Sequence, residues 1–384
     1  MQQNRFWFNF LLFLFVRLGV NDLQAQELMG QMPRIHADGS VTFIYENPDV
    51  KRVKLMCDCR LRKEKTSIRR ENRHRIRMHC DSSGTWTFTT PPLAPEVYTY
   101  QFKVAGRLIP DPRNADSIKV HRQKRSVFTI TGTPQADLYV ANPIRGHVDT
   151  MLFQGNCDCA TRRVLIYLPP AYDEEKATYP VLYLLHGING NENVWKDRGR
   201  VPFIMDNLIA QNRVVPMIVI MPDANPNVLL KSKADAGMLK QILCYPAWSK
   251  REFERCFPQI DSMLTVHYRI SCKQESRAVA GLSAGAKQAA NLGRMYDGQF
   301  ATIGLFSPVV NRWQLPKSQK MKFWIGAGSA DIFHYQINHY RKKLQQRHVT
   351  YTMCPSVGGH TWRNWRIYFS EFVQTLFWPT QTLH

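Results

Sequence analysis

Residues 281–285 read Gly-Leu-Ser-Ala-Gly and place a serine between two small residues. An apolar run ends just before this segment and a helix-like segment begins at Ala286, so the serine sits where a strand turns sharply into a helix. Small residues at both ends permit the strained turn, which exposes the Ser283 hydroxyl and directs the following backbone N–H groups toward a reacting carbonyl oxygen. The pattern therefore predicts a nucleophilic serine.

A nucleophilic serine of this kind needs an acid and a histidine later in the chain. Asp331 follows a predicted buried strand at 322–326 and precedes a helix. His360 follows two glycines after the predicted last strand. We expect His360 to take the Ser283 proton and return it to the leaving group, while Asp331 fixes the ring tautomer. An aspartate before a helix can also act only as a cap, so that alternative stays open for Asp331.

The negative charge that develops on the attacked carbonyl oxygen needs two hydrogen-bond donors. The backbone N–H of Ala284 is one candidate, and the N–H of Ile188, after the buried strand 181–185, is the second. His186 lies in the same loop and precedes the serine in the chain, so we predict that it shapes this loop rather than transferring protons. Asp223 is a rival acid, but its place before the nucleophile contradicts the usual order.

Five segments of the chain resemble the esterase D-like hydrolases, which include feruloyl and acetyl xylan esterases of carbohydrate esterase family one and the enterochelin esterases. These segments are residues 167–172, 179–187, 257–261, 280–285 and 358–362. The resemblance implies an ester hydrolase that requires neither a metal nor an organic cofactor. It also implies the same site: Ser283 as nucleophile, Asp331 as acid, His360 as base, and the backbone N–H groups of Ile188 and Ala284 as oxyanion donors.

The pattern of apolar residues changes along the chain of 384 residues, and this change predicts separate domains. Residues 151–384 are predicted to form an α/β-hydrolase with a mostly parallel sheet, because buried strands alternate with helical stretches. Residues 27–135 carry short aromatic and β-branched runs at the spacing of an all-β sandwich, and they resemble an early-set immunoglobulin-like module. That module either binds glycan or serves as a structural domain. Residues 136–150 are the predicted linker.

The first 25 residues contain an apolar run that is too short to span a bilayer and is interrupted by Asn9. With Arg5 before the run and Ala25 at a cleavage point, the segment is interpreted as a secretory signal peptide. An N-terminal membrane anchor is the alternative. We therefore expect an exported protein, periplasmic or secreted, without stable membrane insertion.

The nine cysteines fit export but define no disulfide framework, because their number is odd. Two Cys-Asp-Cys repeats, at residues 57–59 and 157–159, have too few intervening residues for common zinc sites. In a strand, each cysteine pair would share one face, so packing or a disulfide is favoured over a metal. No metal site is predicted.

The formal net charge of +21 is unusual for a globular chain of this composition. Much of it is local, because residues 51–77 hold twelve Lys or Arg and three acidic residues. One interpretation is that this stretch attracts an acidic polymer, such as uronate-bearing xylan or pectin, or an anionic membrane surface. The alternative is that it is an ordinary solvated face. A nucleic-acid partner is not predicted, because no recognition motif accompanies the charge.

Three functions of different classes remain. The preferred one is a serine esterase that removes feruloyl or acetyl groups from plant cell-wall polysaccharide through an acyl-enzyme. The second keeps the triad for an enterochelin-type siderophore ester, and the third is a non-catalytic glycan-binding or scaffold protein. The expected partner is an acylated plant polysaccharide or oligosaccharide, and an acidic polymer is one alternative. The protein is expected to be a monomer or a homodimer. Candidate substrate-binding residues are His186, Trp195 and Trp248.

Overall fold

The structure is a computed structural model that describes most of the chain in two compact units, divided between Gly132 and Thr133. The described residues are 33–59, 74–120, 123–154, 161–188, 190–227, 250–310, 315–316 and 320–378. The predicted signal peptide, Trp248 and the second Cys-Asp-Cys repeat lie outside these ranges. We refer to the two parts as the N-terminal unit and the C-terminal unit.

The described part of the N-terminal unit contains two antiparallel sheets, as expected from its short strand-like runs. One sheet has the strand order β1-β2-β6-β5, and the other has the order β4-β3-β7-β10-β9 with β8 paired to β7. The strands are β1 (Arg34–Ile35), β2 (Val41–Glu46), β3 (Val53–Cys57), β4 (His74–Arg77), β5 (His79–Cys80), β6 (Thr85–Thr89), β7 (Glu96–Val104), β8 (Arg107–Ile109), β9 (Ser117–Val120) and β10 (Gln123–Ile130).

An aromatic core joins the two sheets of this unit. Alternating side chains of each strand point to one face, so the inner faces of both sheets are apolar. The ring of Phe43 on β2 lies 4.8 Å from that of Tyr100 on β7 and 5.6 Å from that of Phe128 on β10. At the end of β3, Cys57 and Cys59 form a disulfide with each other, which is one of the two alternatives that the repeat favours over a metal.

The C-terminal unit contains one eight-stranded sheet with the order β11-β12-β14-β13-β15-β16-β17-β18. The six strands from β14 to β18 in that order run parallel, whereas β12 is antiparallel to both of its neighbours. This mostly parallel sheet confirms the predicted α/β fold class. The strands are β11 (His147–Gln154), β12 (Thr161–Leu168), β13 (Val181–Leu185), β14 (Ile218–Pro222), β15 (Arg277–Leu282), β16 (Thr302–Phe306), β17 (Lys322–Gly328) and β18 (Tyr351–Ser356).

Helices connect these strands. The α-helices are α1 (Asn193–Asp197), α2 (Val201–Ala210), α3 (Glu252–His267), α4 (Ala284–Met295), α5 (His334–Gln346) and α6 (Trp362–Val373), and there are 3₁₀ helices at Ala136–Tyr139 and Gln274–Ser276. The predicted linker 136–150 is therefore not a free connector. Leu138 and Tyr139 are each only 2% exposed, because the first 3₁₀ helix packs into the C-terminal unit, and β11 begins within the same segment.

The central strands of this sheet position the candidate catalytic residues. Every residue of β13, β14 and β15 is buried, as is typical of parallel strands covered on both faces. The carboxyl ends of parallel strands meet at one edge of a sheet, so the loops that follow them are brought together. No helix in the described ranges is both long and apolar enough to cross a bilayer.

Candidate active site

Ser283 occupies a strained turn between β15 and α4. Its backbone has a φ of 53° and a ψ of −114°, a conformation that side chains other than glycine rarely adopt. Its N–H donates a 2.9 Å hydrogen bond to the carbonyl of Phe306 at the end of β16. The strain and the strand-to-helix position are those of a nucleophile elbow.

Two glycines allow the backbone to close around this turn. A Cβ added to Gly281 would lie 2.5 Å from the carbonyl carbon of Gly285. A Cβ added to Gly285 would lie 2.6 Å from the carbonyl oxygen of Leu185, at the end of β13. Real Cβ atoms do not tolerate such contacts, so both positions require glycine for close approach rather than for flexibility.

Asp331 and His360 lie in contact in the loops after β17 and β18. The Nδ1 atom of His360 is 3.3 Å from each carboxylate oxygen of Asp331. The Asp331 side chain is fully buried, whereas that of His360 is 16% exposed. Burial alone would raise the pKa of Asp331, but the hydrogen bond and charge of His360 and the hydrogen bonds from Ser307 and Phe333 lower it.

Two aromatic rings hold the imidazole of His360. The ring of Phe333 lies 5.2 Å from it and that of Trp365 lies 5.0 Å from it, both edge to face. The indole N–H of Trp365 donates a 3.1 Å hydrogen bond to the Ser307 hydroxyl, which in turn forms a hydrogen bond with Asp331. The ring plane is therefore fixed by packing as well as by the carboxylate.

The third predicted residue, Ser283, lies at the same sheet edge. Within the described residues its hydroxyl makes no hydrogen bond to His360. The segment after β16 contacts both parts of the site. The backbone N–H of Val309 donates to the Ser283 carbonyl at 3.4 Å, and Ser307 hydrogen-bonds to Asp331, which contacts His360. Serine–histidine bonds of this kind are often long until substrate binds.

The loop after β13 lies directly beside the serine. A Cβ added to Gly187 would be 3.2 Å from the Cβ of Ser283. The N–H groups of Ile188 and Ala284 donate to no other group in the part of the chain that the structure describes. Both N–H groups are therefore left to bind another acceptor, and the prediction that this acceptor is the oxyanion of an attacked ester stays a prediction.

His186 bridges this loop to the loop after β14. Its Nδ1 lies 2.8 Å from the Gly187 carbonyl oxygen, and the Ala224 N–H donates to its Nε2 at 3.0 Å. A carbonyl oxygen can only accept, so the ring carries a proton on Nδ1. The side chain is 1% exposed, which contradicts the prediction that it contacts substrate. Its position instead fits the predicted loop-shaping role.

Arg162 on β12 is a residue that the sequence reasoning missed. It is fully buried, and its guanidinium donates to the carbonyls of Asp223 at 3.1 Å and Asn225 at 2.7 Å. Asn225 in turn donates to the Asp223 carboxylate at 2.6 Å and to the Gly190 carbonyl at 3.0 Å. A charged residue just before the apolar run of β12 was the available signal. These bonds hold the loop that contacts His186.

The prediction that Trp195 contacts substrate is wrong. This side chain is 1% exposed, donates to the Leu185 carbonyl at 3.0 Å and packs 5.4 Å from the ring of Trp362. It is a core residue because α1 lies over the end of β13. The rival acid Asp223 bonds Asn225 and lies beside His186, whereas Asp331 is the carboxylate beside His360.

Among the residues that the structure describes, no group of three or more His, Cys, Asp or Glu side chains could hold a metal ion. The arrangement offers instead a serine, an imidazole, a carboxylate and two backbone donors, which together suit acyl transfer.

Replacing His186 with alanine is expected to lower kcat on a small ester about 10- to 100-fold, with a smaller change in KM. The reason is that the loop carrying Ile188 loses both of its imidazole hydrogen bonds and its N–H moves away from the oxyanion. Steady-state kinetics with p-nitrophenyl acetate would measure it. His267→Ala, at the exposed end of α3, is the control. An unchanged kcat in His186→Ala would show that the bridge does not position the donor.

Part of this chain is similar in sequence to known esterases. Residues 159–332 match a family described as "Putative esterase", a range that includes Ser283 and Asp331 but ends before His360. A curated relative, an endo-1,4-beta-xylanase/feruloyl esterase of Xylanibacter ruminicola, is 25% identical over 354 residues, which cover 90% of this chain and 46% of the relative. The chain thus spans less than half the length of that relative.

Solved structures share the fold. A ferulic acid esterase of carbohydrate esterase family one from Anaeromyces mucronatus matches with a TM-score of 0.54 and 20% identity, covering 62% of this chain and 94% of that one. The enterobactin esterase from Shigella flexneri matches with a TM-score of 0.58 and 16% identity, covering 87% of this chain and 92% of that one. At these identities the likeness shows the fold alone.

Proposed function

We propose that this chain, which resembles the esterase D-like hydrolases, is a serine esterase that cleaves carboxylic esters through an acyl-enzyme. The observation that carries the proposal is the contact between Asp331 and His360 at the sheet edge where the strained Ser283 follows β15. A nucleophile, a base and an orienting acid in this chain order are the parts that acyl transfer needs.

Each group has one role in the proposed reaction. His360 takes the Ser283 proton as Oγ attacks the ester carbonyl, and the N–H groups of Ile188 and Ala284 stabilise the oxyanion. The imidazolium, stabilised by the ionised Asp331, then protonates the leaving alcohol and leaves an acyl-serine. Water attacks that acyl group with His360 again as base, which releases the acid and restores the serine.

Large apolar side chains that are exposed close to Asp331 and His360 in the sequence favour an aromatic acyl group over acetate. Three large apolar side chains are exposed in the segments that flank Asp331 and His360: Ile332 at 55%, Tyr335 at 84% and Val357 at 85%. The two segments are joined by a 2.9 Å hydrogen bond from Ala330 to Gly358. Exposed apolar groups grouped at a site commonly mark a binding surface. A hydroxycinnamoyl ring would bury this surface, whereas an acetyl group would not.

The proposed substrate is therefore a feruloylated plant cell-wall polysaccharide, and the relative named as a xylanase/feruloyl esterase supports this choice. Acetylated xylan is the alternative within the same reaction. A siderophore ester is the second candidate, because the likeness to the enterobactin esterase extends over 87% of the chain rather than over one unit. The predicted signal peptide favours action outside the cytoplasm, where a cell-wall polymer is found.

Product release tests the proposal. The protein would be incubated with feruloylated and with acetylated xylo-oligosaccharides and with enterobactin, and ferulate, acetate and dihydroxybenzoylserine would be quantified. We expect ferulate release that disappears in Ser283→Ala. Acetate release alone would place the enzyme among deacetylases, and enterobactin cleavage alone would establish the siderophore candidate. No turnover of these substrates or of simple aryl esters would refute the esterase proposal.

A further inference from the structure

Three basic residues stand side by side across the second sheet of the N-terminal unit. Arg77 on β4 is directly opposite Lys54 on β3, and Lys54 is directly opposite Lys103 on β7. Residues directly opposite in a sheet share a face, so these three side chains form one row. Arg75 lies two residues before Arg77 and therefore projects on the same side. We call these four residues the cationic row.

The cationic row points away from the core of its unit. The alternate residues of the same strands, Leu55, Ile76 and Phe102, belong to the aromatic core or pack against it. Arg75 and Arg77 are exposed, and Lys54 and Lys103 are half-buried. The charged ends of such side chains extend to solvent while their stems cover the sheet.

The charge of this row is not neutralised within the described part of the chain. None of its four members forms an ion pair there. Asp58, an acid on the same face, accepts hydrogen bonds from the backbone N–H of Thr99 at 2.7 Å and from its hydroxyl at 2.8 Å. Like charges placed directly opposite on neighbouring strands destabilise a sheet. A bound anion would reduce the repulsion between the side chains of the row.

We propose that the cationic row binds an anionic polysaccharide, specifically the uronate groups of an acidic xylan, an inference that rests on the proposed esterase function. Adjacent strands lie about 4.8 Å apart, so the row offers cations over about 10 Å across the sheet. A uronate carboxylate carried by an extended glycan can lie among these cations, and an arginine can hold a carboxylate through two parallel hydrogen bonds.

Glycan fits this surface better than a membrane. A membrane-binding surface combines basic residues with large apolar side chains that enter the lipid. Among the described residues, none of the exposed large apolar side chains lies on β3, β4 or β7. A polyanion bound by charge alone needs no such insertion, and its binding should weaken strongly as salt screens the charges.

Binding is measured first, without turnover. Full-length protein carrying Ser283→Ala would be titrated with 4-O-methylglucuronoxylan and with the same xylan after reduction of its carboxyl groups, at low and high salt. We expect salt-sensitive binding to the acidic polymer and at least tenfold weaker binding to the reduced one. Equal binding of the two polymers would overturn the proposal.

The row is then tested by substitution. Lys54→Gln/Arg77→Gln/Lys103→Gln is expected to weaken binding of glucuronoxylan about tenfold, because three surface ion pairs are removed. Its thermal unfolding temperature should stay level or rise, since like charges no longer face each other. The matched control, Lys176→Gln/Lys273→Gln/Lys342→Gln, removes three exposed charges of the C-terminal unit and should bind normally. Equal binding by both triple variants would overturn the proposal.

Two further measurements distinguish the glycan from other anionic partners and the row from the esterase proposal. Retention of the wild-type protein on anionic phosphatidylglycerol vesicles or duplex DNA, with none on glucuronoxylan, would overturn the glycan in favour of those partners. Hydrolysis of p-nitrophenyl acetate by the row variant with Ser283 intact should equal that of wild type. If wild type binds acidic xylan through the row but hydrolyses no ester, the row stands and the esterase proposal fails.

Discussion

Replacing Ser283 with alanine is expected to lower kcat on an aryl ester by about 10⁵-fold. The variant keeps the proposed oxyanion donors of Ile188 and Ala284, so we expect binding and a residual rate above that in water, but no acyl-serine can form. KM should change little, because the serine hydroxyl contributes mainly to the transition state. Rates with p-nitrophenyl acetate, measured at high enzyme concentration, would detect the residual activity.

A serine at the same sheet edge supplies the control for this measurement. Ser329 lies in the loop after β17, is exposed and donates its backbone N–H to the Ser356 carbonyl at 2.9 Å. Ser329→Ala should retain nearly full activity. A Ser283→Ala enzyme with more than about a tenth of the wild-type rate would show that the nucleophile is another group, and trapping with a fluorophosphonate would then locate it.

Replacing Asp331 with asparagine is expected to lower kcat by about 10⁴-fold without unfolding the protein. The amide has nearly the shape of the carboxylate, but it cannot stabilise the imidazolium and it lets His360 adopt the wrong tautomer. The pKa of Asp331 lies below its ordinary value, so the carboxylate stays ionised through the neutral range. The wild-type kcat/KM should therefore show no step from ionisation of Asp331 in the neutral range.

Two further aspartates make this result specific. Asp173→Asn, on an exposed side chain, should leave the rate and its pH dependence unchanged. Asp223→Asn tests the rival acid, which lies beside the buried His186 and not beside His360. If Asp223→Asn abolished activity while Asp331→Asn kept it, the assignment of the acid would move to Asp223 and His186.

The sequence carries enough local information to predict the turn at Ser283 and the fold class. Steric limits on φ and ψ restrict which residues can flank a strained turn, so the glycines at 281 and 285 are visible as a pattern. Buried parallel strands appear as continuous apolar runs, so the alternation of strands and helices is visible as well. These features depend on neighbours in the chain, and the structure places each of them as expected.

Burial and pairing between distant segments were decided only by the tertiary structure. The sequence predicts Trp195 and His186 as substrate residues, because an isolated aromatic or imidazole has the same sequence signature whether it lines a pocket or the core. A charge before the apolar run of β12 marks Arg162 as unusual, but the sequence does not reveal its role, because its partners are carbonyl groups some sixty residues away. The cationic row depends on strand register, and a shift of one residue would turn every second side chain to the opposite face. Steric limits on the backbone depend on residues that are neighbours in the sequence. Burial and strand register depend on which distant segments pack together.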